Sequence, residues 1–379
     1  MIKKYAIILT SLLLAGCIQT TPKESDAIFL DSVHESYAAG EQWMVDNIRE
    51  KGLFHYIYHP KTDEYPSSNN AIRQLMASRL LAELANETSD LLPLHRKNLS
   101  FIMQYWYMED GDLGYVLYDE KSKLGANAML LRTLIWSPIY EEYKEEAGQL
   151  VRGILSLIDK KGEFYPWLKE PDYEYDKDYL LTFYSGEAIL SLVEYYEKTG
   201  DADILDVAVR AQDYYIDRYV IHLAENYYPA YVPWHTFSLN KLWKITKNPL
   251  YAEAIFVLND ELLKTQDTTN EIGRFYDPDH PEYGSPHASS DGVYTEGLAY
   301  AYEIAKLTGN KNHQKLYEDS LQLAVGNLIS LQYTKDTAAQ YKRPDRAIGA
   351  LRYSTDRSGI RIDTVQHTLD AYRKILSVY

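Results

Sequence analysis

Cysteine is almost missing from this chain: Cys17 is the one example in 379 residues. A disulfide framework and a thiolate-built zinc site are therefore excluded. Basic residues are in deficit too. Thirty-nine Lys and Arg stand against 55 Asp and Glu, a net charge of −16. A phosphate backbone needs a basic face, so nucleic acid is excluded as a partner. No apolar run is long enough to span a bilayer; Tyr5 to Leu14 covers about ten residues. A glycine-rich phosphate loop and a serine nucleophile elbow are both lacking. No low-complexity region or linker divides the chain after residue 30. What is abundant is tyrosine, 36 residues, with 6 Trp besides. A phenol ring fills amphipathic space between helices or stacks on a sugar. Most of the 36 are expected to do the first.

From about Ile28 onward the pattern is helical, and two kinds of helix alternate. Asp203 to Tyr219 is amphipathic: Leu205, Ala208, Val209, Gln212, Tyr215, Ile216 and Tyr219 share a face. Tyr184 to Tyr196 is apolar nearly all round, as a helix covered on every side must be. Six such covered segments begin near Asn69, Leu124, Tyr184, Pro233, Val293 and Arg361. Their spacing of roughly 50 to 70 residues leaves room for two helices plus loops. Gly200 and Gly309 stop two of them, and Gly52, Gly111, Gly162, Gly273 and Gly349 each precede an aromatic residue in a tight turn. The copy near Asn226 lacks its Gly. Six pairs with one buried member each predict an all-α fold, an (α/α)6 toroid with short hairpins or loops on the rim. An open array is the alternative, which a shorter period would favour.

In a toroid the first turns of the inner helices converge on one rim. Those turns carry Asn69, Asn70, Arg73, Lys123, Asn127, Tyr184, Glu187, Trp234, His235, Tyr294, Glu296, Arg361, Asp363 and His367. Glu187, Glu296 and Asp363 are the catalytic carboxyl candidates, with Tyr184 and Tyr294 beside them. Trp234, His235, Arg73, Arg361, Asn70, Asn127 and His367 are candidates for holding substrate. Carboxyls flanking a sugar suit glycoside hydrolysis, one protonating the leaving oxygen and the other activating water or attacking. Structural alternatives stay open. Glu187 and Glu296 suit a helix N-terminus, Asp363 with Arg361 suits a buried ion pair, and His235 suits a hydrogen-bonded core position. His367 suits a supporting place behind the site. The loop from Asp277 to His287 matches no metal-ligand spacing, so no metal or cofactor is expected. It and Glu170 to Asp178 read as rim loops.

Two resemblances follow. Lys3 and Lys4, the apolar run and Leu14-Ala15-Gly16-Cys17 resemble a prokaryotic lipoprotein signal with its lipobox. That implies cleavage before Cys17, lipid on its thiol, a tether over residues 18–27 and one domain over 28–379. It also implies a membrane-anchored place in the cell envelope, facing outside the cytoplasm. The repeat itself resembles the six-hairpin toroids of carbohydrate-active proteins. Tyr184 to Tyr215 is similar to the helical domain of glucuronyl 5-epimerases, whose β-rich domains are absent here. Lanthionine cyclases share the toroid but need zinc-binding cysteines. The resemblance implies an oligo- or polysaccharide partner, with uronate among the candidates. Three functions remain open: a glycoside hydrolase, a uronate epimerase or lyase using tyrosine, and a non-catalytic glycan-binding envelope lipoprotein.

Overall fold

The computed structural model describes residues 24–379. Cys17, the signal and the tether up to residue 23 lie outside the described residues. Helix α1 spans Glu24–Asp46, so the expected tether residues 24–27 are already helical. No Pro or Gly from Lys23 to Ala39 interrupts it.

The remaining long helices are α2 (Ala71–Glu87), α3 (Leu92–Tyr105), α4 (Leu124–Trp136), α5 (Lys144–Leu155), α6 (Lys177–Thr199), α7 (Ala202–Ile216), α8 (Tyr231–Thr246), α9 (Pro249–Leu263), α10 (Ala288–Leu307), α11 (Lys311–Leu331) and α12 (Ile362–Val378). The even-numbered six are the inner staves. Each packs on the next, and α12 returns to α2, so the ring closes. The predicted (α/α)6 toroid is what the chain forms. Three antiparallel ribbons lie among the connections: β2 (Tyr107–Asp110) with β3 (Leu113–Val116), β4 (Ser122–Lys123) with β5 (Trp167–Lys169), and β1 (Ile57–Tyr58) with β6 (Ile360–Arg361). The last joins the first repeat to the sixth, pairing Ile57 with Arg361.

The Gly–aromatic turns knit the outer layer. Gly52, Gly162, Gly273 and Gly349 all have φ between 90° and 107°, and the turns close through bridges such as Ile158–Phe164 and Gln266–Phe275. Each Gly sits against the backbone of a neighbouring outer helix. A Cβ at Gly273 would lie 1.9 Å from the Leu323 carbonyl oxygen, and one at Gly349 would lie 2.2 Å from that of Ala39. Gly349 thus seats α1 and closes the outer layer. Gly273→Ala is expected to cost about 2–4 kcal/mol, from backbone strain plus the displaced carbonyl. Gly284→Ala has a similar φ of 96° but no neighbour within 4 Å, so it should cost the backbone strain alone, about 1–3 kcal/mol. Equal losses in denaturant melts of the two variants would remove the seating contact from the account.

Charge fills the centre of the ring. Arg132 on α4 meets Glu194 on α6 through two hydrogen bonds, 2.7 and 2.9 Å. Arg79 on α2 pairs with both Asp370 on α12 and Glu83. All but Glu83 are less than nine per cent exposed. Ionised groups so deep persist only when paired, and these pairs tie inner helices to one another.

Candidate active site

Two inner helices begin earlier than the sequence reading placed them. Asp176 caps α6, accepting a hydrogen bond from the Tyr179 amide, and His287 caps α10. Tyr184 and Glu187 therefore lie two to three turns in. Ser185 and Gly186 look like a helix start but are not one: the Ser185 hydroxyl donates to the Leu181 carbonyl, 2.6 Å. Gly186 lets α8 approach, since a Cβ there would lie 2.5 Å from that of Trp234. Gly297 does the same against Pro233, at 3.0 Å.

The rim encloses a cavity of about 500 Å³. Of the expected residues, Asn70, Arg73, Tyr184, Glu187, Trp234, Tyr294, Arg361, Asp363 and His367 line it. Lys123 also lines it, as do Tyr179, Phe183, Tyr228, Tyr283, His287 and Tyr353. Tyr276, Asp277 and the segment from Tyr283 to His287 bear out a rim-loop reading of that stretch, whereas residues 170–178 do not reach the cavity. The tyrosines interlock edge to face: Tyr179 on Tyr228 at 5.7 Å, and Tyr228 on Tyr283 at 5.5 Å. Only their helical or loop positions, not their convergence, were legible beforehand.

Glu187 is the unusual group. It is 1 % exposed, and its Oε2 is buried without a hydrogen-bond partner. The carboxyl fits over Gly125, where a Cβ would come within 2.2 Å of Oε2. Burial pushes its pKa up to about 8, with Arg132, Lys123 and Arg73 pulling the other way. At neutral pH it holds its proton.

Asp363 has the opposite surroundings. Arg361 binds both its oxygens, 2.5 and 2.7 Å, Arg73 donates to Oδ2 at 2.8 Å, and the Ser289 hydroxyl adds a bond of 2.9 Å. Although burial disfavours its charge, the two guanidiniums hold its carboxyl well below the usual carboxylate range. Oδ1 keeps acceptor capacity, because Arg361 Nε is its one donor. The ion-pair alternative for Asp363 is therefore the observed arrangement, extended by Arg73 so that it ties α12 to α2.

The two histidines of the cavity and its two candidate tyrosines are neutral at pH 7. His367 is driven down to about 4, chiefly by burial, and His287 likewise. The Tyr184 and Tyr294 hydroxyls are pushed above their ordinary value, again by burial first. They stay protonated at neutral pH and are poor bases.

Three expected residues do not reach the cavity. Glu296 lies deeper along the axis, where it, His367 and Asp370 bring their ligating atoms within 4.8 Å of one another. Burial and Asp370 raise its pKa well above normal. Arg79 pairs with Asp370 beside them. His235 is in the core between the Ser185 hydroxyl, 3.1 Å, and the Gln212 amide, 3.2 Å. Asn127 accepts from the Val116 amide at 2.8 Å and holds β3 to α4. Asn70, though at the cavity, caps α2 by accepting from the Arg73 amide. All four carry polar atoms that burial requires to be satisfied, which is why they read as site residues.

No protein-family model matches this sequence, and neither does any curated protein. Solved structures do share its architecture. D-mannose isomerase superposes with a TM-score of 0.70 at 11% identity, covering 95% of this chain and 100% of that one. An α-1,6-mannanase from Salegentibacter sp. HEL1_6 gives 0.67 at 11% identity, with coverages of 93% and 100%. An unsaturated glucuronyl hydrolase specific for heparin gives 0.62 at 11%, with 93% and 98%. The chain thus has the toroid on which these carbohydrate-processing enzymes are built.

Proposed function

We propose that this chain is a glycan-processing enzyme, a glycoside hydrolase in which Glu187 is the proton donor. The observation that carries the reading is the contrast between two carboxyls of one cavity. Glu187 is kept protonated by burial without a partner, and Asp363 is kept ionised by two guanidiniums. Environments that push two carboxyls apart in this way assign an acid and an anion. A departing glycosidic oxygen needs the proton, and the sugar ring it leaves becomes positively charged, which a fixed carboxylate stabilises. Asp363 is a weak base because its arginines hold its charge so firmly. Its free acceptor site on Oδ1 orients the attacking water, whose proton returns to the carboxylate that Glu187 becomes after giving its own to the leaving oxygen. The mannanase and the glucuronyl hydrolase among the structural neighbours support hydrolysis on this fold.

A second reading is proton transfer at a sugar carbon, as in an isomerase or epimerase. Neutral His367 at the cavity wall favours it; tyrosine as the base, as in uronate epimerisation or lyase chemistry, is disfavoured by the raised hydroxyls. Isotopic water separates the readings. Hydrolysis of an oligosaccharide mixture should place one label from 18O-water in the new anomeric hydroxyl per bond cleaved, the other new hydroxyl keeping the glycosidic oxygen, and should put no deuterium from deuterated water on carbon. Carbon-bound deuterium from deuterated water, without cleavage, would replace hydrolysis by the second reading. Binding without either label would leave a glycan-binding protein. Lipidation of Cys17 and a place in the cell envelope belong to the same proposal, on the lipobox resemblance. Acyl-chain labelling that Cys17→Ser fails to abolish would remove them.

A further inference from the structure

The fixed charges of the cavity do not cancel. Arg73, Arg361 and Lys123 bring three cations to its wall. Asp363 returns one negative charge, and Asp277 on the rim loop a second. Glu187 below its titration range, His287 and His367 return none. The balance is positive, within a chain whose net charge is −16.

The excess is concentrated on one side. Arg361 spends Nε and Nη2 on Asp363. Arg73 gives Nε to Asp363 and Nη1 to the Tyr56 hydroxyl, 2.9 Å, leaving Nη2 available. The side chain of Arg73 is 34% exposed, and the exposure is toward the cavity it lines. Lys123 caps α4 at the β4 end and makes no ion pair among the described residues. Its ammonium stands 5.5 Å from the centre of the Trp167 ring. Lys123 and Arg73 feel each other's charge, and both feel Glu187. Two like charges in a partly desolvated corner repel; Arg73 shares Asp363 with Arg361, and Lys123 has no ion-pair partner of its own among the described residues. An anion from the ligand would remove that repulsion and meet donors on two elements.

We infer that Lys123 and Arg73 form an anion-binding subsite beside Glu187, and that the saccharide bound there carries an acidic group, carboxylate or sulfate. This rests on the reading of the cavity as a saccharide site. The anion would fix the ring at the Lys123 side and leave its glycosidic oxygen to Glu187. Lys123 is thereby a specificity-determining residue, and its place just ahead of an inner helix sets the distance between recognition and proton transfer.

Calorimetric titration of the purified protein at pH 6 tests this with four probes: glucuronate, galacturonate, galactose 6-sulfate and glucose. Uronates or the sulfated sugar should bind about 10- to 100-fold more tightly than glucose, the range of one hydrogen bond to a charged partner. Lys123→Met should erase that preference, and Lys123→Arg should restore most of it. Glu187→Gln should keep the preference, because it alters the acid and not the cations. Uronate binding without sulfate binding identifies the carboxylate as the source, and the reverse identifies sulfate. Glucose binding as well as every acidic sugar, or a preference that survives Lys123→Met, overturns the anion subsite and leaves the saccharide reading standing. Binding of none of the four overturns both.

Discussion

Glu187→Gln lowers turnover of whichever saccharide this cavity processes by about 10²–10⁴-fold, the usual worth of a positioned general acid. The same variant is more stable than wild type at pH 8 and above. Both effects come from one feature, a carboxyl 1% exposed whose Oε2 has no hydrogen-bond partner. Gln matches its shape but cannot give up a proton, so binding is retained and the leaving oxygen goes unprotonated. The stability effect has a definite sign. An unfolded chain releases the Glu187 proton near the ordinary glutamate value of 4.5, whereas the folded protein keeps it until about 8. Between those values the folded state binds more protons, so the stability contributed by this group falls as pH rises and levels off above pH 8. Gln carries no such slope, so the two proteins should melt alike near pH 4.5 and diverge upward. Loss of activity together with loss of stability at pH 6 would make Glu187 a structural group instead.

Asp363→Asn is expected to destabilise the protein by about 3–5 kcal/mol, because it leaves two guanidiniums at the site without their carboxylate. For a chain of this size, that is a fall in Tm of about 4–7 °C, taking an unfolding entropy of ~2.1 cal/mol/K per residue. The loss should be nearly constant from pH 5 to 9. Asp363 is held below its unfolded value, so its contribution is complete above that value and is lost only in strong acid. Activity should fall as well, since Arg73 and Arg361 lose the anion that orients them. A variant as stable as wild type would show that the α2–α12 link is not made through this carboxylate.

The six inner helices were readable because burial on all sides leaves a distinct pattern, and because Gly200 and Gly309 end two of them cleanly. Their starts were less so. The pattern starts the third inner helix near Tyr184, whereas the helix begins at Lys177 and Gly186 inside it is the gap that admits Trp234. A glycine in a helix costs about 1 kcal/mol against alanine, and close packing of staves offsets that here. The rim position of Glu187 survived the error because α6 begins earlier and still carries it to the cavity. Glu296 did not, since nothing in a single helix tells how far down the axis a residue lies. Asp363 and Arg361 were legible as an ion pair from their spacing. Arg73, 290 residues from Asp363, was not, and neither was the excess of cations around Lys123. Those depend on which staves the closed ring makes neighbours.

The most direct test follows the Glu187 carboxyl itself. Carbon-13 NMR of protein labelled at glutamate carboxyls, with Glu187→Gln to assign the signal, gives its titration midpoint. A midpoint near pH 8, matched by an alkaline limb in the turnover profile that the variant lacks, is what the account predicts. A midpoint near 4.5 would mean that Glu187 is ionised at neutral pH, and it could not then be the proton donor.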